Sequence, residues 1–286
     1  LTTDPKCAEI ISANDQLEAM IDRAFKTFDT LLFRVIRNCA QFGPVTNIDI
    51  YEKYMPMYIE LVQQCGENTD LMVELIGTLV YIACDKWDTI LVDNNFLEFI
   101  QNIFISGAED DLILETIMLV ATVVRNEKCA EHVANSNLIP ILHDLLGAKQ
   151  EDDEMVQQIL FTYYRLLLFR VTREIMLEQT QIVNVILELF NDKNPVIRGL
   201  VEKTLDLVQM HDEMWKQEIK AKKYQMHNEV YIELMGMAEN QQNLQGMNDE
   251  ELYDYYYNQG MYPEGDEGEM MQGEPGMNAG MYAEDD

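Results

Sequence analysis

Cys7–Met20 reads CAEIISANDQLEAM and Cys129–Leu142 reads CAEHVANSNLIPIL. The two stretches superpose at an offset of 122, with Cys7-Ala8-Glu9 on Cys129-Ala130-Glu131, Ile11 on Val133, Leu17 on Ile139 and Met20 on Leu142. That offset is three steps of roughly 40, and the intermediate copies are present. Leu17, Tyr58, Leu97, Ile139 and Val183 hold one position at spacings of 41, 39, 42 and 44. Met20, Leu61, Ile100, Leu142 and Ile186 follow one helical turn later. A polar break bearing Asp, Asn or Gly comes next in each copy, and then a longer run with apolar residues three and four apart. The first such run holds Leu31, Leu32, Val35, Ile36 and Cys39, and the third holds Leu114, Ile117, Met118, Ala121 and Val124. That period belongs to helices with one buried stripe. Almost no segment alternates with period two, so strands are not expected.

A repeat of about 40 residues, built from a short helix, a break and a long helix, is the armadillo/HEAT unit. The expectation is an all-α, right-handed armadillo/HEAT-like solenoid of about five repeats, at residues 1–45, 48–86, 87–126, 127–170 and 171–210. Each unit has two uncovered apolar faces and folds by stacking on its neighbours. The last one needs a cover, which a helix over residues 211–236 supplies through Trp215, Ile219, Tyr224, Val230 and Leu234. Asp29, Asp70, Glu109-Asp110-Asp111, Glu151-Asp152-Asp153-Glu154 and Asn194-Pro195 each precede a long apolar run. These acidic clusters read as helix starts, where side-chain oxygens cap free N–H groups and meet the positive dipole end, rather than as metal sites.

The chain has 286 residues, 51 acidic against 20 basic, for a net charge of −31. A surface this acidic repels phosphate backbones and anionic lipid, which argues against nucleic-acid and membrane-surface binding. Ile117–Val124, the longest strongly apolar stretch, is far shorter than the ~20 residues of a membrane helix, so no direct membrane insertion is expected. From Met237 on there are 13 acidic residues and no Lys or Arg, leaving −18 on residues 1–236. Residues 237–286, rich in Gly, Met and Tyr, with Tyr253, Tyr255, Tyr256 and Tyr257 clustered, are predicted to be a disordered acidic tail. The five cysteines (Cys7, Cys39, Cys65, Cys84, Cys129) form no C-x-x-C pair, and no N-x-[ST] acceptor occurs, which predicts a reducing, cytoplasmic setting. The chain opens at Leu1 inside a helical pattern, as a C-terminal fragment of a longer protein would.

The repeat register also picks out a polar row. Asn38, Thr78, Thr122, Thr162 and Thr204 share one position, and Gln41, Tyr81, Arg125, Arg165 and Leu207 lie three residues on. Arg34, Glu74, Met118, Gln158 and Leu200 precede it by one turn. On a stacked array these form a stripe along the concave side. It suits the backbone amides of an extended or helical peptide, with Arg34, Arg125 and Arg165 meeting carboxylates. For the threonines two readings stand: groups offered to a partner, or small residues that let helices pack and then face water. For Tyr81, Arg125 and Arg165 the groove role is expected.

Signatures of catalysis do not occur. There is no G-x-x-x-x-G-K-[ST], no G-x-S-x-G, no H-E-x-x-H and no G-x-G-x-x-G after a strand, so no catalytic, cofactor-binding or metal residue is assigned. His132 and His143, eleven residues apart, read as short-helix-end residues rather than metal ligands.

Six further stretches carry a likeness beyond repeat class: Lys6–Glu18, Glu74–Cys84, Gly107–Glu115, Gln150–Ile159, Thr172–Gln181 and Asn191–Arg198. With the run Thr204–Asn228, which holds Trp215 and His227-Asn228, they resemble the kinesin-associated protein family, the accessory subunit of heterotrimeric kinesin-II. The resemblance covers about residues 1–236; the acidic tail does not clearly follow the pattern, and the family's N-terminal portion is absent. It implies a non-catalytic armadillo adaptor that binds the C-terminal tails of two motor subunits and links them to cargo or cargo-adaptor proteins. The motor moves toward microtubule plus ends, including intraflagellar transport, so the implied setting is cytoskeletal and, where present, ciliary. No family binding residue transfers by position. The alternative from the same fold is another armadillo scaffold or transport receptor; against the nuclear version, the row lacks regular Trp/Asn pairs.

Overall fold

The computed structural model describes residues 4–12, 16–44, 47–66, 68–82, 84, 86–93 and 95–228. The expected tail at residues 237–286 lies outside them, as do Val230 and Leu234.

Among the described residues the regular structure is fifteen α-helices and one 3-10 turn, with no strand. The chain opens with α1 (Pro5–Ser12), α2 (Gln16–Thr27) and α3 (Thr30–Phe42), then α4 (Ile48–Gln64) and α5 (Thr69–Val80). Next come α6 (Trp87–Asp93), α7 (Phe96–Ile105) and α8 (Asp110–Val123), then α9 (Glu127–Ala134), α10 (Leu138–Ala148) and α11 (Asp153–Leu167). The last helices are α12 (Arg170–Gln179), α13 (Ile182–Glu188), α14 (Pro195–His211) and α15 (Glu213–His227). α3, α5, α8, α11 and α14 pack in series, each against the next, while α6, α9 and α12 form a second series behind them. The result is an α-solenoid.

Each step is finer than the short-helix, long-helix pattern read from periodicity. The segment before a long helix is two helices, as in α9 and α10, because the Asn135-Ser136-Asn137 turn interrupts the apolar stripe. The second step differs again: Gly43-Pro44 ends α3 and leaves room for a single 17-residue helix, α4, with Pro56 inside it. Leu17, Tyr58, Ile139 and Val183 of the repeating position are buried, and Leu97 is partly so.

Local chemistry starts the long helices. Asp29 accepts from Leu31 N at 3.0 Å and Leu32 N at 3.3 Å, and Asp152 accepts from Glu154 N and Met155 N at 3.0 and 3.1 Å. Asn194 caps Val196 N at 2.9 Å, with Pro195 in the first turn. At α5 the cap is Asn68, accepting from Leu71 N at 3.2 Å, rather than Asp70. Glu109 makes no side-chain cap; Asp110 instead pairs with Lys149 at 2.6 Å. Each satisfied cap contributes on the order of 1 kcal/mol.

Bonds between steps share one offset. Thr122 Oγ1 donates to Val80 O, Arg165 Nη2 to Val124 O and Asn194 Nδ2 to Asp153 Oδ2, at sequence separations of 42, 41 and 41. Start meets start and end meets end, so consecutive long helices run in the same direction. Their positive dipole ends then lie along one edge, where Asp29, Asp110, Asp152 and Asp153 offset them; the carbonyl ends lie along the other. At the far end of the stack Trp215 and Ile219 of α15 meet the core, whereas Tyr224 is 70% exposed instead of packed.

Candidate functional site

The polar row divides once its side chains are placed. Thr78 and Thr162 have no exposed surface, and neither has Thr204. Their hydroxyls bond carbonyls one turn back: Thr78 to Glu74 O at 2.8 Å, Thr162 to Gln158 O at 2.8 Å and Thr204 to Leu200 O at 2.7 Å. Thr162 also reaches Ile117 O of α8 at 3.3 Å, and the half-buried Thr122 reaches Val80 O of α5 at 2.9 Å. Thr78, Thr162 and Thr204 therefore turn away from water, and Thr122 keeps only part of its surface exposed. They sit in the seam between long helices, where a small β-branched side chain lets backbones approach and its hydroxyl still finds an acceptor.

Arg34, Asn38 and Gln41 line α3; Arg34 and Gln41 are exposed and Asn38 is half-buried. Arg34 is engaged, because its Nε lies 2.5 Å from Glu74 Oε1 on α5. Glu74 is itself buried, with a side chain 2% exposed. That carboxylate also faces Arg37, one turn further along α3, with Arg37 Nη1 3.6 Å from Glu74 Oε2. Arg37 then continues across α5 to pair with Glu115 of α8. Gly77 makes this crossing possible. A Cβ there would stand 2.7 Å from Arg37 Cζ and 2.8 Å from Arg37 Cδ, far inside van der Waals contact. Burial holds the Glu115 carboxyl above the ordinary carboxylate value, with Arg37 pulling it down and Glu74 and Asp111 pushing it up. Arg37, Gly77 and Glu115 are absent from the polar row, and Glu115 hides inside an apolar run.

At the other edge Tyr81, at the C-cap of α5, is half-buried, and Gln158 is half-buried on α11. Burial pushes the Tyr81 hydroxyl up, with the Glu115 charge adding to it. Arg125 is exposed just beyond α8. Arg165 of α11 is held by Val124 O at 2.9 Å, an end carbonyl of α8 that no intrahelical donor reaches. Burial lowers the Arg165 pKa, and the nearby charge of Arg125 lowers it further. Arg165 thus sits against the residue that precedes Arg125, and no ion pair to either arginine forms among the described residues. Arg173 repeats the capping pattern one step on, donating to Leu167 O at 2.9 Å.

No cluster of three metal-ligating side chains occurs among the described residues. Burial raises the thiol pKa of Cys39, Cys65, Cys84 and Cys129, which holds these cysteines in the unreactive protonated form. No helix of the described residues is long and apolar enough to cross a membrane. What remains is a surface of stacked helices that is acidic at one edge and bears paired arginines at the other. The sequence profile of the kinesin-associated protein (KAP) family matches residues 1–267, so it continues into the acidic segment that the resemblance over residues 1–236 left out. A helical stack matched by that profile over nearly its whole length, the chain belongs to the kinesin-associated protein family.

Proposed function

We propose that the chain is a non-catalytic adaptor that binds the C-terminal tails of the two kinesin-II motor subunits along its long helices and links the motor to cargo for plus-end-directed, including intraflagellar, transport. Family membership supports the kinesin partner. The observation that carries the choice of surface is that Arg165 reaches Val124 O at 2.9 Å, beside Arg125, which sets two cations on adjacent steps of a chain whose net charge is −31. An acidic side chain or chain terminus of a tail laid across the helices would relieve their repulsion and gain charge-assisted hydrogen bonds. Tyr81, Gln41, Asn38 and Gln158 supply polar contacts beside them. Thr78, Thr122 and Thr162 serve by fixing the spacing of the helices rather than by contact.

The test is anisotropy of labelled motor-tail segments titrated with the chain, alongside Arg125→Glu and Tyr81→Ala variants of unchanged helicity. Arg125 is exposed, so its reversal leaves the core alone. Saturable binding that Arg125→Glu weakens about tenfold or more supports the surface. Equal binding by wild type and both variants removes it.

A further inference from the structure

Two buried carboxylate oxygens without a hydrogen bond, on the adjacent long helices α5 and α8, lie either side of Arg37. Glu74 and Glu115 each give one carboxylate oxygen to an arginine, and the Oε2 of each is buried without a hydrogen bond among the described residues. Arg37 Nη1, 3.6 Å from Glu74 Oε2, attracts it from beyond hydrogen-bonding length. Both carboxylate side chains are at least nine-tenths buried, at 2% and 9% exposure. The surrounding charge is also unbalanced. The exposed Asp70 and Asp111, at the starts of α5 and α8, add negative charge to the field around Arg34 and Glu115. A buried, half-satisfied charged acceptor is costlier than a neutral one. The way in is through Arg34, whose side chain is 56% exposed and holds Glu74 from the solvent side.

We propose that this cluster is a receptor for one basic side chain of the partner, with the free Oε2 atoms of Glu74 and Glu115 as its acceptors and Tyr81 at its rim. Arginine fits better than lysine, because a planar fork of N–H donors can serve two carboxylates while keeping the charge that Arg34 cedes on moving outward. The inference rests on the reading that the long-helix face takes an extended partner, and it adds the partner's chemistry at one position. The segment carries an acidic group toward Arg125 and Arg165 and an arginine over α5 and α8.

Two measurements on the full chain separate the inference from that reading. In the first, chain carrying ¹³C-labelled glutamate is titrated with N-acetyl-arginine amide, and with the neutral citrulline analogue as control. The carboxylate resonances of Glu74 and Glu115 are assigned from Glu74→Gln and Glu115→Gln. The expected result is a saturable shift of those two resonances with the arginine compound and none with citrulline. Shifts absent, equal for both compounds, or spread over the exposed carboxylates overturn the receptor and leave an ordered water as the occupant of the free oxygens. In the second, each arginine of a bound motor-tail segment is replaced by citrulline. One replacement is expected to weaken binding about tenfold in wild type and to have no further effect in Glu115→Gln. Tails that bind without any such coupled arginine overturn the inference while the adaptor surface stands. Tails that fail to bind, with the arginine-amide shift intact, overturn the surface and leave the receptor standing.

Discussion

Phe28 adopts φ 53°, a left-handed conformation that bulky side chains rarely take. It closes α2: its N–H bonds Ala24 O at 2.8 Å, the position just past a helix end where glycine is preferred. The ring gains little in exchange, being 55% exposed. Phe28→Gly is therefore expected to raise stability by about 1 kcal/mol, read as a higher urea midpoint at unchanged slope. A lower midpoint would mean that the exposed ring holds the α2–α3 corner. Glu115 makes a second residue-scale prediction. Its carboxyl titrates above the ordinary 4.5, chiefly through burial, so the folded chain holds this proton more tightly than the unfolded chain does. The group's stabilising contribution is fully present below pH 4.5 and is lost as pH rises through the folded value. Wild type should thus lose melting temperature relative to Glu115→Gln as pH climbs from about 4 to about 7. A constant gap between the two would contradict it.

Between elements, the crossing of Arg37 over α5 is the most exposed to test. Alanine for glycine inside a helix is ordinarily worth about 1 kcal/mol in its favour. Gly77→Ala should instead destabilise, since the new Cβ falls on the Arg37 side chain and displaces it from Glu115. In an Arg37→Met background the obstacle becomes a side chain with no ion pair to lose, and the same substitution should turn neutral or stabilising. Denaturation midpoints of the four proteins decide it; destabilisation of equal size in both backgrounds would place the cost in the α5 backbone. The same crossing marks how far the sequence can be read. Helix period and caps are local, so the stack of long helices and the caps at Asp29, Asp152 and Asn194 are legible. Arg34 and Glu74 appear together because their offset of 40 is the repeat itself. Arg37 and Glu115 are 78 apart, and nothing in a 40-residue register links them until a side chain is seen to pass beside a glycine. The threonines show the converse. Their positions are legible, but a recurring polar residue looks the same whether it serves a groove or a seam. The division of each short segment into two helices depends on turns such as Asn135-Ser136-Asn137, too brief to disturb an apolar pattern on either side.

Across the whole molecule, the net charge of −31 is a standing self-repulsion in the folded chain. Added salt screens it, with a Debye length falling from roughly 30 Å at 0.01 M to roughly 10 Å at 0.1 M. The melting temperature should therefore rise over that range, while affinity for a tail held through Arg125 and Arg165 falls. Opposite signs from one titration separate the global field from the local contact, and a melting temperature that falls with salt would give the surface ion pairs the larger share. In a stack where each step touches only its neighbours, free energies add along the chain and units can be gained or lost with little disturbance elsewhere. The reach of Arg37 past α5 to Glu115 breaks that rule between α3 and α8. Excising or duplicating the α4–α5 step would leave an arginine and a glutamate, both largely buried, facing the wrong neighbours. The α3, α5 and α8 steps are thus tied to one another by a side chain, and removing or adding a whole step between α3 and α8 breaks that tie.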